Sequence, residues 1–257
     1  MFLIVTSTKN EYSKLKGLRK YHLDKFEQNG AQFGILTLKS SAVLKNKRVR
    51  SIIAMFGQRV MFDENMREYA TKIQTTDYSL ALTKNGLEYI LKGIASTTPS
   101  FSATLIDISC RHIDFAQTIS GYCSLLKVIT NKEEKYSAFA QNMYEQNGNA
   151  VIVTNSLEQL NDSIIIVSPD NVILKEMEGI FVPIITTNKP AYNLPLVISE
   201  FNVSTPKKFQ LNTIPLNQHE YQSYLYKYCD LQQLGNLTPT QAMIGTKKCE
   251  LANLKII

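Results

Sequence analysis

Cys110, Arg111 and His112 follow, after Ser109, an apolar run, ATLIDI at 103–108, and their types can do two kinds of chemistry. A guanidinium at the tip of a strand can clamp an anion, and beside a thiol it lowers the thiol pKa toward that of a nucleophile. A cysteine nucleophile also needs a base. His112 lies so near in sequence that a helix start splays it away, and ordinary helix-start packing accounts for the trio without catalysis. A second group is Asn131, Lys132 and Lys135, at and beyond the end of the run SLLKVIT (124–130). These side chains suit a phosphate, while a helix cap at Asn131 and a surface lysine at 132 explain the same residues without a ligand. The densest basic run is Lys45-Asn46-Lys47-Arg48-Val49-Arg50. No aromatic platform, zinc finger or helix-turn-helix accompanies it, so nucleic-acid binding is not expected. With Val43, Val49 and Ile52 it reads as an exposed β-connection. Cys110, Cys123, Cys229 and Cys249 show no CxxC spacing, and His22, His112 and His219 form no ligand pattern with them. That argues against structural zinc and against a disulfide framework.

These residues need elements to hold them. Two short, apolar, β-rich runs, 2–6 and 33–38, read as buried strands. Between them 12–28 is polar and basic, with Leu15, Leu18, Tyr21 and Phe26 spaced roughly as a helix face and Gly30 as its end. The runs 51–56 and 59–62 flank Gly57-Gln58 as strand, turn, strand. Leu87, Ile90, Leu91 and Ile94 share one face of a helix, and 96–102, with Pro99 inside, reads as a linker. From 103 the pattern is regular. A strand (103–108) leads to a short helix with Phe115, Ala116, Ile119 and Cys123 inward, then to a second strand (124–130). The next helix has a capping box available from Thr130 or Asn131 to Glu133 or Glu134. It carries Tyr136, Phe139, Ala140, Met143 and Tyr144 on one face and stops at Gly148. A strand (150–154), a brief helix (155–160) and a strand (163–167) ending at Ser168-Pro169 complete the run. Strands without alternation, separated by helices, imply a parallel sheet. The strand of Leu105 is expected between those of Val128 and Ile165, with the strand of Ile152 outside Val128. Beyond Pro169, strands are expected at 172–174, 179–185 and 196–198. A helix is expected over 217–234, with Tyr221, Tyr224, Leu225 and Tyr228 on one side and Gly235 at its end. A last helical piece falls at 238–243.

Residues 103–168 resemble the first half of an NAD(P)-binding Rossmann domain. The layout is similar to the shikimate-dehydrogenase-like enzymes, in which an N-terminal α/β domain precedes a cofactor domain and C-terminal helices. The resemblance implies an α/β fold in three parts: an N-terminal portion (1–98), a Rossmann-like domain (99–187) and a C-terminal segment (188–257) whose helices pack back on the body. It also implies a GxGxxG phosphate turn, yet that fingerprint falls on Asp107, Ser109 and His112. All three glycines are missing, and with them the tight turn, the close pyrophosphate approach and the close helix–strand packing. Asp107 sets a carboxylate where a diphosphate would lie, and His112 crowds the third position. Asn131 and Lys132 match in type the residues that hold the 2′-phosphate in NADP-dependent shikimate-type enzymes, while Glu133 departs from that pattern. No Asn-x-Thr-x-Pro context is present, so no catalytic residue is carried over. The residues placed on the cofactor side are Ser109, Cys110, Arg111, His112, Asn131, Lys132 and Ser168.

Composition bounds the rest. The chain of 257 residues is 44% apolar and 19% charged, ordinary for a soluble globular protein. No run approaches the roughly 18 apolar residues of a membrane span, and the first apolar residues read as a strand instead of a signal peptide. A reduced, cytosolic setting is the expectation. Residues 1–50 hold 11 Lys/Arg against 3 Asp/Glu, and the remaining 207 hold 17 against 19. The excess positive charge is therefore N-terminal, as for a chain with an anionic partner or one with a solvated lysine surface. Together these readings favour a non-catalytic or ligand-sensing module on a decayed dinucleotide fold, with a small anion as ligand and a homodimer or protein partner open. The alternative is an NADP-dependent oxidoreductase with an atypical turn.

Overall fold

The computed structural model describes residues 2–7, 20–28, 31–57, 59–63, 66, 76–157, 160–170, 180–187, 196–205, 209, 218–228 and 237–254. The chain divides into two compact units, 1–78 with 205–236, and 79–204 with 237–257.

The first unit is built on strands β1 (Phe2–Ser7), β2 (Tyr21–Gln28), β3 (Ala31–Leu38) and β4 (Val60–Phe62), in the order β2-β3-β1-β4. β1 pairs parallel with β3 and β4, and β2 pairs antiparallel with β3. Leu3, Val5, Leu36 and Leu38 point from one face into a core with Val49, Ile52, Ile53 and Phe56 of helix α1 (Lys47–Phe56). Phe2 and Phe33 lie on the other face, where Phe2 meets Tyr224 of helix α5 (Gln218–Tyr228) edge-on at 6.1 Å.

Two expectations fail in this unit. The described part of the expected 12–28 helix is strand β2. Its Tyr21 and Leu23 alternate toward Leu38 and Leu36 across the ladder, while Phe26 stacks on Phe33 from the opposite face. Period-2 packing against β3 outweighed an approximate helical spacing. The expected strand–turn–strand at 51–62, with the β-connection before it, is a 3₁₀ turn (Ser41–Lys45), helix α1 and strand β4. Val49, Ile52, Ile53 and Phe56 stand at i, i+3, i+4 and i+7, the spacing of a buried helix stripe. Asn46 caps α1 by accepting the Arg48 N–H at 2.9 Å. Gly57 ends it at φ +56, a conformation that glycine takes without steric cost. Leu15, Leu18, Gly30 and Gln58 lie outside the described residues.

The second unit carries an eight-stranded sheet. Its strands are β5 (Ser102–Ile106), β6 (Leu125–Ile129), β7 (Ala150–Thr154), β8 (Ile165–Ser168), β9 (Ile184–Thr186), β10 (Val197–Asn202), β11 (Gln241–Ile244) and β12 (Lys247–Glu250). They run β12-β11-β10-β9-β8-β5-β6-β7. The six from β5 to β10 are all parallel, and β11 and β12 add on antiparallel. Numbered within the parallel set, the order is 3-2-1-4-5-6, that of a Rossmann-like sheet. The expected neighbours of the Leu105 strand are therefore in place. Helices α3 (Ile113–Ser120) and α4 (Glu133–Asn147) make the first two crossovers. Phe115, Ala116 and Ile119 are buried, as are Tyr136, Phe139 and Met143, whereas Tyr144 is 70% exposed. Ile106, Ile129, Ile166, Ile184 and Val197 form a continuous apolar cluster. Helix α2 (Thr76–Thr97) buries Leu82, Leu87, Ile90, Leu91 and Ile94.

Three details depart from expectation here. The capping box before α4 does not form: Lys132 is the cap position without a side-chain bond, and Thr130 Oγ1 instead accepts the Lys132 N–H at 3.1 Å. Leu160–Asp162 makes a 3₁₀ turn where a helix over 155–160 is expected. The last helical piece at 238–243 is instead a hairpin. Ile244 pairs with Lys247 around Gly245-Thr246, and Gly245 takes φ +57, a signal of a two-residue turn. The strand expected at 172–174 and the helix end expected at Gly235 lie outside the described residues.

Candidate functional site

In a sheet of this order a ligand crevice opens at the carboxyl ends of the strands, where neighbouring connections leave in opposite directions. Here that point lies between β5 and β8. β5 ends at Ile106, and the chain turns through Asp107, Ile108, Ser109, Cys110, Arg111 and His112 into α3. β8 ends in Ser168, followed by Pro169 and Asp170.

Asp107 is fully buried. Its Oδ1 accepts the Arg111 N–H at 3.0 Å, and its Oδ2 accepts the His112 N–H at 2.8 Å and the Tyr136 hydroxyl at 2.7 Å. The first amides of a helix are unpaired donors beside the positive end of its dipole, and in dinucleotide folds they receive phosphate. In this chain the carboxylate just past the preceding strand receives the amides of Arg111 and of the cap residue His112, which lead into α3. The turn closes further on itself as the Cys110 N–H donates to the Asp107 carbonyl at 3.2 Å and the Asn131 N–H to the Ile108 carbonyl at 3.1 Å. Burial, and then the hydrogen bond and charge of Asp107, push the Tyr136 pKa up, so its hydroxyl stays a donor.

A second layer surrounds Asp170. Arg111 donates through Nη2 to Asp170 Oδ2 at 2.9 Å and through Nε to Ser109 Oγ at 3.0 Å. His112 Nε2 meets Asp170 Oδ1 at 2.9 Å, and its side chain is 8% exposed. Burial alone raises the Asp170 pKa, but hydrogen bonds from His112 and Arg111, with their charges, outweigh it and hold the carboxyl below its usual range. Thr187 Oγ1 donates to the Pro169 carbonyl at 2.8 Å and fixes the loop that presents Asp170.

The structure thus brings Ser109, Arg111 and His112 together around one carboxylate. Cys110 stands apart, half-buried at φ +55. Its thiol is pushed up by burial and then by the Asp107 charge, with Lys135 opposing. Arg111, which by type could lower that thiol pKa, is turned to Asp170 instead. Ser168 is fully buried at the end of β8. Asn131 and Lys132 line a separate open cleft of about 600 Å³ with Lys135, Asn155, Glu133 and Glu134.

Two residues of this network escaped sequence reading. Asp170 follows a Ser-Pro strand end, where a loop acid carries no pattern. Tyr136 was legible only as one residue of an apolar helix face. Asp107, His112 and Asp170 also present one ligand atom each within 4.8 Å of one another, the one such grouping among the described residues. Their atoms are already engaged with amides, a phenol, an imidazole and a guanidinium. Arg111 on Asp170 places a positive charge against any cation there, so the set fits a closed polar network better than a metal centre.

No family model matches the chain, and no curated protein matches it. Among solved structures it is similar to L-tryptophan dehydrogenase from Nostoc punctiforme, with a TM-score of 0.32 and 10% identity. That match covers 63% of this chain and 50% of the other. The chain thus spans about half the length of that protein, and a likeness so slight carries neither family nor activity across.

Proposed function

We propose that this chain is a non-catalytic, ligand-sensing module on a Rossmann-like sheet whose dinucleotide turn is filled from within. One observation carries the reading: the Asp107 carboxylate occupies the amides of Arg111 and His112, with Tyr136 as its third donor. A diphosphate arriving there would meet a buried like charge. At about 4 Å that repulsion is about 1 kcal/mol in bulk water and larger near protein. Arg111 offers little to an incoming anion, since Asp170 already neutralises it.

The experiment is calorimetric titration of the full chain with NAD and NADP. Binding no tighter than about millimolar is expected, about −4 kcal/mol. Asp107→Gly combined with His112→Gly is expected to tighten it by freeing the turn. Micromolar NADP binding by the unaltered chain would sink the proposal.

The alternative, an NADP-dependent oxidoreductase, draws on one observation of its own. Asn131, Lys132 and Lys135 share an open cleft beyond the end of β6, the strand whose end meets the adenosine ribose in dinucleotide folds. That reading requires the Lys132→Glu change to weaken NADP and leave NAD alone.

A further inference from the structure

The unit of residues 1–78 and 205–236 holds a cleft of about 880 Å³ that the proposal above does not use. Lys20, Tyr21 and His22 line it from the start of β2, and Asn46, Lys47 and Arg48 from the start of α1. Lys20, Lys47 and Arg48 are exposed, and among the described residues none of the three is in an ion pair. No carboxylate is among the described residues that line it. The nearest acid in sequence, Asp24, is engaged by His22, Nε2 to Oδ1 at 2.7 Å.

The helix wall of this cleft runs against ordinary helix electrostatics. The N-terminal end of a helix carries about half a positive charge, so acids are favoured there and cations are not. The first turn of α1 has no acid, and it begins Lys47-Arg48 with Arg50 following. The apolar stripe of α1 explains why the helix forms and packs. It does not explain why cations crowd its positive end while Lys20 lines the same cleft beside β2. An anion in the cleft offsets both repulsions.

We infer that this cleft binds a small soluble polyanion, a ligand bearing two or more phosphate groups. Its volume falls within the roughly 300–1,000 Å³ of small-molecule sites. Two lysines supply mobile point charges, Arg48 a bidentate fork, and Asn46 and Tyr21 polar groups between them, a donor set suited to phosphate oxygens. Cations brought to one cleft by two elements suit a compact anion, whereas a duplex is met by an extended basic face. The inference is independent of the Asp107 reading, and failure here leaves that reading untouched, because ligand, residues and unit all differ.

The test is calorimetry on the full chain with sodium tripolyphosphate at about 50 mM salt. Parallel titrations use orthophosphate, a single-stranded oligonucleotide, and vesicles with and without phosphatidylserine. Tripolyphosphate is expected to bind in the range of about 10–100 μM, at least about tenfold tighter than orthophosphate, and to weaken as salt rises to about 200 mM. Lys47→Glu with Arg48→Glu is expected to lower affinity about tenfold or more, about 1.4 kcal/mol. Lys247→Glu with Lys248→Glu makes the same change in net charge on β12 and should leave it unaltered. If the first pair fails to fold, Lys47→Gln with Arg48→Gln replaces it and should still cost severalfold. The inference falls if tripolyphosphate does not bind, if the α1 pair binds it normally, or if the β12 pair loses as much. It falls equally if the oligonucleotide or the anionic vesicles bind more tightly than tripolyphosphate, which would make the cleft part of a macromolecular surface.

Discussion

At the scale of the residue, Asp107 decides how the turn behaves. It is buried with three donors, so removing it strands a phenol and two amides, and each unsatisfied buried group costs about 1–3 kcal/mol. Asp107→Ala is expected to lower unfolding stability by about 3 kcal/mol or more, and Tyr136→Phe by about 1–2 kcal/mol. Urea midpoints read both. Equal stability of Asp107→Ala and the unaltered chain would show that the carboxylate does not hold the turn. Asp170 gives a pH signature. Its folded pKa is lowered by His112 and Arg111, so the stability it contributes is present above the unfolded carboxyl value of about 3.9. That contribution is lost as pH falls through the lower folded value. Stability–pH curves of the unaltered chain and Asp170→Asn should stand apart above about pH 4 and converge in stronger acid. Curves that stay parallel throughout would rule out Asp170 as the titrating group. Asp107 was legible in the sequence as a carboxylate in the wrong place for a diphosphate. Its partners were not, because Tyr136 lies 29 positions away along the chain.

At the scale of the element, close approach explains one helix glycine. Gly86 of α2 faces the ring of Phe201 on β10, and a Cβ there would overlap the carbons of that ring's edge. Gly86→Ala is thus expected to destabilise by about 1–3 kcal/mol, the range for overpacking a filled core. Gly93, on the same helix with open space around it, should gain from the same change by up to about 1 kcal/mol through helix propensity. Thermal unfolding of the two variants compares them, and a loss at Gly93 matching that at Gly86 would show that close packing is not the cause. Elements with a clean local pattern were readable: β1, β3, α4 and the four strands from β5 to β8. Those with a mixed local pattern were not. Val49, Ile52, Ile53 and Phe56 carried a helix signal that Gly57-Gln58 obscured, and β2 carried a helix-like spacing that its ladder with β3 overrode. Local pattern is decisive only where tertiary packing agrees with it.

For the whole molecule, charge is the property that sequence states outright. The excess of basic residues in the first 50 is a matter of counting, but its arrangement is not. Part of it converges on the walls of one cleft, and no base-reading motif goes with it. Binding to a random DNA duplex is therefore expected to stay weaker than about micromolar at 200 mM salt, with affinity falling steeply from about 50 mM as counterion release requires. Sub-micromolar binding at the higher salt would contradict this. No described helix is long and apolar enough to cross a membrane.

By itself the sequence determined the α/β class, the parallel strands from β5 to β8 and their order, and the absence of every glycine from the phosphate turn. Those follow from periodicity, connection length and residue type, all local quantities. Tertiary structure alone decided what fills the turn, since the Asp107 network joins a strand end, a helix start and a second helix. It alone turned Arg111 toward Asp170, and brought Lys20, Lys47 and Arg48 to one cleft. Each of these depends on side chains distant in sequence meeting at a strand end or in a recess, and their hydrogen bonds and charges act through space and not along the chain.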